Sequence, residues 1–165
     1  MNVFGDAAVM RYGDGVQTSA WVESWILGEQ KGYRTHGYGK WAVVGRDTNL
    51  LGYCGLSYAE DVCGKPEVTL GYRLARRCWG QGYASEAVAA TIAYGFNVLG
   101  LKRLVATIDP DNTASVRVAE KAGLVYEKDV MVAGYTHPDR VYVLEKPNWT
   151  VRKGLSPSPA AVRGR

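Results

Sequence analysis

The 165-residue chain has no C-x-x-C pair, no Gly-Lys-Ser/Thr and only two histidines. Each of these absences closes off a class of function. The three cysteines, Cys54, Cys63 and Cys78, cannot all pair internally and lack metal or redox spacing. They read as reduced thiols, which leads us to expect a cytoplasmic protein. His36 and His137 stand alone in the sequence without metal-ligand spacing, so no metal is expected. The longest uncharged run, residues 87–101, falls short of the roughly 20 apolar residues that span a bilayer. It also carries Asn97 and Gly100, and reads as a buried helix rather than a membrane anchor. The first fifteen residues have neither a cationic start nor an apolar core, so they do not form a signal peptide. No internal repeat is present.

What remains is one domain's length of chain, 47% apolar, enough for a real core. The net charge of +4 is localised in the tail. Residues 151–165 hold Arg152, Lys153, Arg163 and Arg165 and no acid, so residues 1–150 balance. That placement argues for a solvated basic tail and against a nucleic-acid partner. We therefore divide the chain into a domain over 1–150 and a mobile Pro/Ser-containing tail over 151–165.

The stretch 70–96 organises the rest. A strand passes through Trp79, Gly80, Gln81, Gly82, Tyr83 and Ala84 into a helix, along which Ala84, Val88, Ile92, Phe96 and Leu99 share one apolar face. Glycines at such a junction let backbone N–H groups approach a ligand, and the helix N-terminus adds partial positive charge. The arrangement suits a phosphate or pyrophosphate, although a glycine pair before a helix is more often a plain turn. It lacks the third glycine of a dinucleotide fingerprint and the lysine of a P-loop.

Around it the pattern predicts a helix from Thr18 or Ser19 to about Gln30, with Trp21, Val22, Trp25 and Ile26 on one face. A loop follows over 32–39. Strands are predicted at 40–45 and 50–58, joined by a four-residue hairpin loop, then at 67–74. A strand at 103–108, a helix at 113–122 ended by Gly123, and strands at 124–133 and 140–146 complete the order. This is an α+β (mixed α/β) chain with helices on a mixed sheet.

A second stretch, Asp109-Pro110-Asp111-Asn112-Thr113-Ala114-Ser115, opens the helix that ends at Lys121-Ala122-Gly123. Together with Leu70-Gly71-Tyr72 and the run from Trp79 to Ala87, it resembles the GNAT N-acetyltransferase superfamily, most closely the branch that acetylates ribosomal-protein N-termini. The resemblance covers roughly residues 7–146. It implies the GNAT fold, a mostly antiparallel sheet whose two central parallel strands splay apart to admit coenzyme A. The N-terminal strand would be short or missing, and an edge so uncovered invites a homodimer.

The resemblance also implies a donor and site residues. Acetyl-CoA would be the donor, with no metal, and a small-molecule or peptide amine the acceptor. Trp79, Gly80, Gln81, Gly82, Tyr83, Ala84 and Ser85 would cradle the pyrophosphate, with Arg76 or Arg77 assisting as cations or standing in solvent. The backbone of Tyr72, Arg73 and Leu74 would bind the pantetheine arm. Asn112 would both cap its helix and reach the pantetheine. The family's usual proton-donating tyrosine slot is Ala119 here, so protonation of the leaving thiolate passes to Ser115, whose bland alternative is a first-turn serine. Thr69 occupies the slot of a family glutamate, and Glu67, on the same strand face, is the candidate general base or else a surface carboxylate. Glu86 complements the helix dipole. The acceptor pocket would draw on residues 18–39 and 134–140, where Tyr33, His36, Tyr38, Tyr135 and His137 lie. A CoA-binding module without catalysis is the alternative to an enzyme.

Overall fold

The computed structural model describes residues 3–62, 64–131 and 136–149. The expected basic tail, and Tyr135, lie outside the described residues. The chain runs α1 (Ala7–Met10), α2 (Ser19–His36), β1 (Lys40–Val44), β2 (Leu50–Ala59), β3 (Glu67–Leu74), α3 (Tyr83–Asn97), β4 (Arg103–Ile108), α4 (Thr113–Ala122), β5 (Val125–Val130) and β6 (Asp139–Glu145). The strands form one sheet in the order β1-β2-β3-β4-β6-β5. All neighbours are antiparallel except β3 and β4, which run parallel and share a single registered pair, Thr69 with Val105. Beyond that pair the two strands diverge.

α3 and α4 lie on one face of the sheet. Val88, Ile92 and Phe96 recur every four residues along α3 and are at most 1% exposed, packed against Leu56, Leu70, Leu104 and Leu144. Each such side chain contributes about 1.5–3 kcal/mol by leaving water. Cys54 belongs to the same core and its Sγ lies 3.3 Å from Thr91 Oγ1. Burial pushes its thiol up to about 11, so it stays protonated. Cys54 and Cys78 are both free and buried, and Cys63 is outside the described residues.

The other face is covered by α1 and α2. Trp25 meets Tyr53 of β2 at 4.9 Å, and Phe4 wedges between them at 5.0 and 5.5 Å. The leading segment belongs to this layer, because Val3 and Phe4 are buried and Asp6 caps α1 through the N–H groups of Ala8 and Val9. Among the described residues no strand precedes α2, as the resemblance implied. α2 also continues to His36 instead of stopping near Gln30. Gly28 and Gly32 are carried inside it at about 1 kcal/mol each. The helix stops only at Gly37, which takes a φ of 79° that a side chain disfavours and donates its N–H to Tyr33. Ile26, expected on the buried face, is 44% exposed, whereas Val22 and Trp25 pack inward.

Candidate active site

Where β3 and β4 diverge they open a cleft of about 810 Å³, walled by both strands and by the N-terminal turns of α3 and α4. The wall at α3 is bare backbone. Gly80 and Gly82 have φ values of 71° and 87°, and nothing lies within 4 Å of where a Cβ would stand on either. No side chain caps α3, so its first N–H groups, at the cleft-lining Ala84 and Ser85, are available to an anion. Trp79 also lines the cleft, with its indole Nε1 donating to Leu74 O at 2.9 Å. That bond ties the turn to the end of β3.

Three residues of the expected cradle stand elsewhere. Arg77 is turned away: its Nη2 donates to Leu50 O at 2.8 Å, and of the Arg76–Arg77 pair it is Arg76 that lines the cleft. Gln81 does not line it and donates to Arg77 O at 2.7 Å, stitching the turn from behind. Tyr83 points outside it, 36% exposed. Along β3, Tyr72, Arg73 and Leu74 do line the cleft, and Arg73 reaches back to Met10 Sδ at 3.1 Å.

The α4 wall holds a pair of hydroxyls. Asn112 caps the helix, its Oδ1 accepting from Ser115 N at 3.2 Å. Ser115 Oγ lies 3.1 Å from Tyr72 Oη across the gap. Burial raises the Tyr72 phenol above its ordinary value, against a smaller opposing effect of the Ser115 hydrogen bond, so it remains protonated at neutral pH. Ala119, in the slot one turn further along, is buried and has no hydroxyl to offer.

Glu67 is not in the cleft. It is 8% exposed and bound at 3.0 Å by both Arg103 Nε and Lys65 Nζ, while Arg103 also grips Glu127 and Glu145. A carboxylate so neutralised, at the paired end of β3, is a structural ion and not a base for a reaction in the splayed end. Strand alternation placed it on the correct face but at the wrong end of the gap. Glu86 sits in the first turn of α3, as expected.

Of the acceptor-loop candidates, Tyr33 donates to Lys40 O at 3.0 Å, and burial and then Glu29 push its phenol up to about 12. His36 stacks on Tyr58 at 4.7 Å, and Tyr38 is buried in the core. None of these three lines the cleft. His137 is different. Although isolated in sequence, its Nε2 comes 3.5 Å from Asp109 Oδ2, and one ligand atom each from Asp109, His137 and Asp139 gather within 4.8 Å. Asp109 and Asp139 line the cleft. Burial, then the neighbouring Asp109 charge, raises the Asp139 carboxyl, while His137 lowers it. These three residues could hold a cation.

The sequence reading passed over Asp109, Asp139 and Tyr12. The first two had a signal, an acid beside a proline just after β4 and another at the start of its partner β6. Tyr12 had none: its hydroxyl donates to Asp111 O at 3.2 Å across 99 residues of chain. Burial also pushes the Lys40 ammonium down, and its Nζ lies close behind Gly71 of the cleft.

A family model for the acetyltransferase (GNAT) domain matches residues 1–125. The uncharacterized protein YkkB of Bacillus subtilis (strain 168) is 36% identical over 129 residues, covering 78% of this chain and 74% of that protein. An acetyltransferase (GNAT family) from Bacillus anthracis superimposes with a TM-score of 0.71 at 27% identity, covering 88% of this chain and 86% of that one. Spermidine N-acetyltransferase from Vibrio cholerae, in complex with CoA and spermine, superimposes with a TM-score of 0.70 at 16% identity, over 89% and 88% of the two chains, a likeness of fold.

Proposed function

The chain belongs to the GNAT acetyltransferases, and from that premise we propose that it transfers the acetyl group of acetyl-CoA to a primary amine by direct attack on the thioester. The observation that carries this reading is the gap between β3 and β4, which opens from one registered pair toward an uncapped, glycine-fronted helix N-terminus. The chain's own residues divide the work. The turn from Trp79 to Ser85 takes the pyrophosphate on its N–H groups, with Arg76 supplying charge. Backbone groups of Tyr72 to Leu74, unpaired by β4, take the pantetheine amides as a further strand would, and Asn112 adds a contact at the mouth of α4.

In the transfer, the neutral amine attacks the carbonyl carbon, the C–S bond breaks, and the acylated nitrogen gives its surplus proton to solvent water, from which Tyr72 is later reprotonated. The leaving thiolate gains its proton from Ser115, whose hydroxyl is in turn supplied by Tyr72. Tyr72 thereby provides from β3 the phenol that is absent at Ala119. Serine alone is a poor acid, and the protonated phenol whose oxygen lies 3.1 Å from it is the source of the relayed proton.

The acceptor class spans protein N-termini and small amines. We carry a cytoplasmic location, a homodimer and the division at residue 150 as parts of this proposal; among the described residues no helix is long and apolar enough to cross a membrane. Calorimetry with acetyl-CoA and free-thiol detection against an amine panel test the core of it. Binding with amine-dependent thiol release is the expected result. Binding with no release would make the chain a CoA-binding module, and absence of binding would remove the reading. Light scattering showing only monomer at high concentration would remove the dimer.

A further inference from the structure

We propose that Asp109, His137 and Asp139 form the seat for the acceptor's ammonium group, and that this seat favours amines with no carboxylate beside the reacting nitrogen. The inference rests on the acetyl-transfer reading and adds where the acceptor binds and which charge it must carry.

Asp109 directly follows β4, and Asp139 opens β6. Arg140 pairs with Ile108, so register brings the two carboxylates side by side at the end of β4 that diverges from β3. They are not equivalent. Asp109 is already engaged: Oδ1 accepts the Asp111 N–H at 2.8 Å and Oδ2 faces His137 at 3.5 Å. Asp139 is 9% exposed, and its Oδ1 is buried with no hydrogen-bond partner among the described residues. A buried carboxylate oxygen without a donor is the rarer state in folded proteins and calls for a ligand. Asp139 lines the cleft, which is the side from which a donor would approach.

Charge selects the donor. His137 is the one group of the three able to carry positive charge, so the cluster stays net negative in either of its protonation states. Of the cations that line the cleft, Arg117 and Lys121 belong to α4 on the opposite face of the sheet, while Arg11, Arg73 and Arg76 belong to the β3 half and its leading segment, with Arg73 turned to Met10. Asp139 shares its face with Val141 and Val143, which pack with Val105 away from α3 and α4. An amine seated there meets the gap from the side opposite α4 and Ser115. A primary ammonium brings several N–H donors at hydrogen-bond distances of about 2.7–3.2 Å. Acceptor atoms within 4.8 Å of one another can share such an ammonium between them, and the same spacing would also admit a divalent cation, which the Mn²⁺ competition below separates. An α-carboxylate on the acceptor would be brought against two like charges, so free amino acids are disfavoured.

The probes are spermidine, alaninamide and alanine, used with acetyl-CoA and the full chain. We expect kcat/KM for alaninamide or spermidine at least tenfold above that for alanine. Asp139→Asn should raise the KM of the better amine at least tenfold and narrow its lead over alanine, with acetyl-CoA affinity unchanged by calorimetry. Asp139→Ser serves if the asparagine variant melts early. An unchanged amine KM in a folded variant overturns the seat, as does wild-type use of alanine equal to alaninamide. If acetyl-CoA binds but nothing turns over, the transfer reading fails separately. Spermidine is then titrated into the CoA complex: heat abolished by Asp139→Asn keeps the seat, and no heat overturns it. Mn²⁺ binding that displaces spermidine and is lost in Asp139→Asn assigns the cluster to a metal and overturns the proposal.

Discussion

At the scale of single residues, Tyr72 and Ser115 act as one unit or not at all. If they relay a proton, Ser115→Ala and Tyr72→Phe should each lower kcat by about 10- to 100-fold, at or below the lower end of general-acid effects. The double variant should be little worse than either single one, because partners in one path are not additive. Steady-state kinetics with calorimetric control of acetyl-CoA binding decide it; additive losses would mean two independent roles. Asp139 gives a prediction of the opposite kind, one about stability. Its folded carboxyl lies above the usual value, mainly through burial. Above that raised value the folded state must hold a charge the unfolded chain hydrates freely, so the residue destabilises at neutral pH. As pH falls through the raised value toward about 3.9, the ordinary carboxyl value, the penalty disappears. Asp139→Asn should therefore raise Tm at pH 7 and lose that advantage near pH 4, measured by thermal melts at both values. A gain that persists unchanged in acid would show that the charge is not its source.

At the scale of elements, Gly82 tests the turn that faces the cleft. Gly82→Asp puts a carboxylate where bare N–H groups now stand, and Gly82→Asn imposes the same positive-φ strain without charge. We expect the Asp variant to weaken acetyl-CoA binding at least tenfold more than the Asn variant in calorimetry. Equal losses would reduce the turn's role to its shape. The elements themselves were largely legible in the sequence. β3, β4 and α4 have the bounds that alternation, periodicity and the Asn112 and Gly123 caps mark out. α2 was misjudged because glycine weakens a helix locally, while Tyr33's bond to Lys40 O and the cap at Gly37 act on its far end. The site was less legible for a related reason. Gly80, Gly82, Asn112 and Ser115 carry local signals at chain junctions. The Tyr72–Ser115 contact, the Asp109–His137–Asp139 cluster and the capture of Glu67 by Arg103 arise from strand register, which no single stretch records.

At the scale of the whole molecule, the sheet is two antiparallel halves, β1-β2-β3 and β4-β6-β5, joined in their ladder at Thr69 and Val105. α3 spans both, and Tyr12 reaches from the leading segment to the Asp111 carbonyl on the far half. A donor lying in the gap would act as a wedge glued to both faces of an unfinished seam. The consequence is mechanical: the free protein should breathe about the Thr69–Val105 rung, and the loaded protein should not. Backbone amides over residues 70–74 that face the gap should exchange with deuterium readily in the free chain and slow sharply with CoA bound. At a ligand concentration a hundred times Kd the bound form should gain about 2.7 kcal/mol of stability. If exchange instead slows only at the α3 turn, the ligand clings to one half and the seam stays open. In that case the substrate would not be the piece that closes the enzyme's own fold.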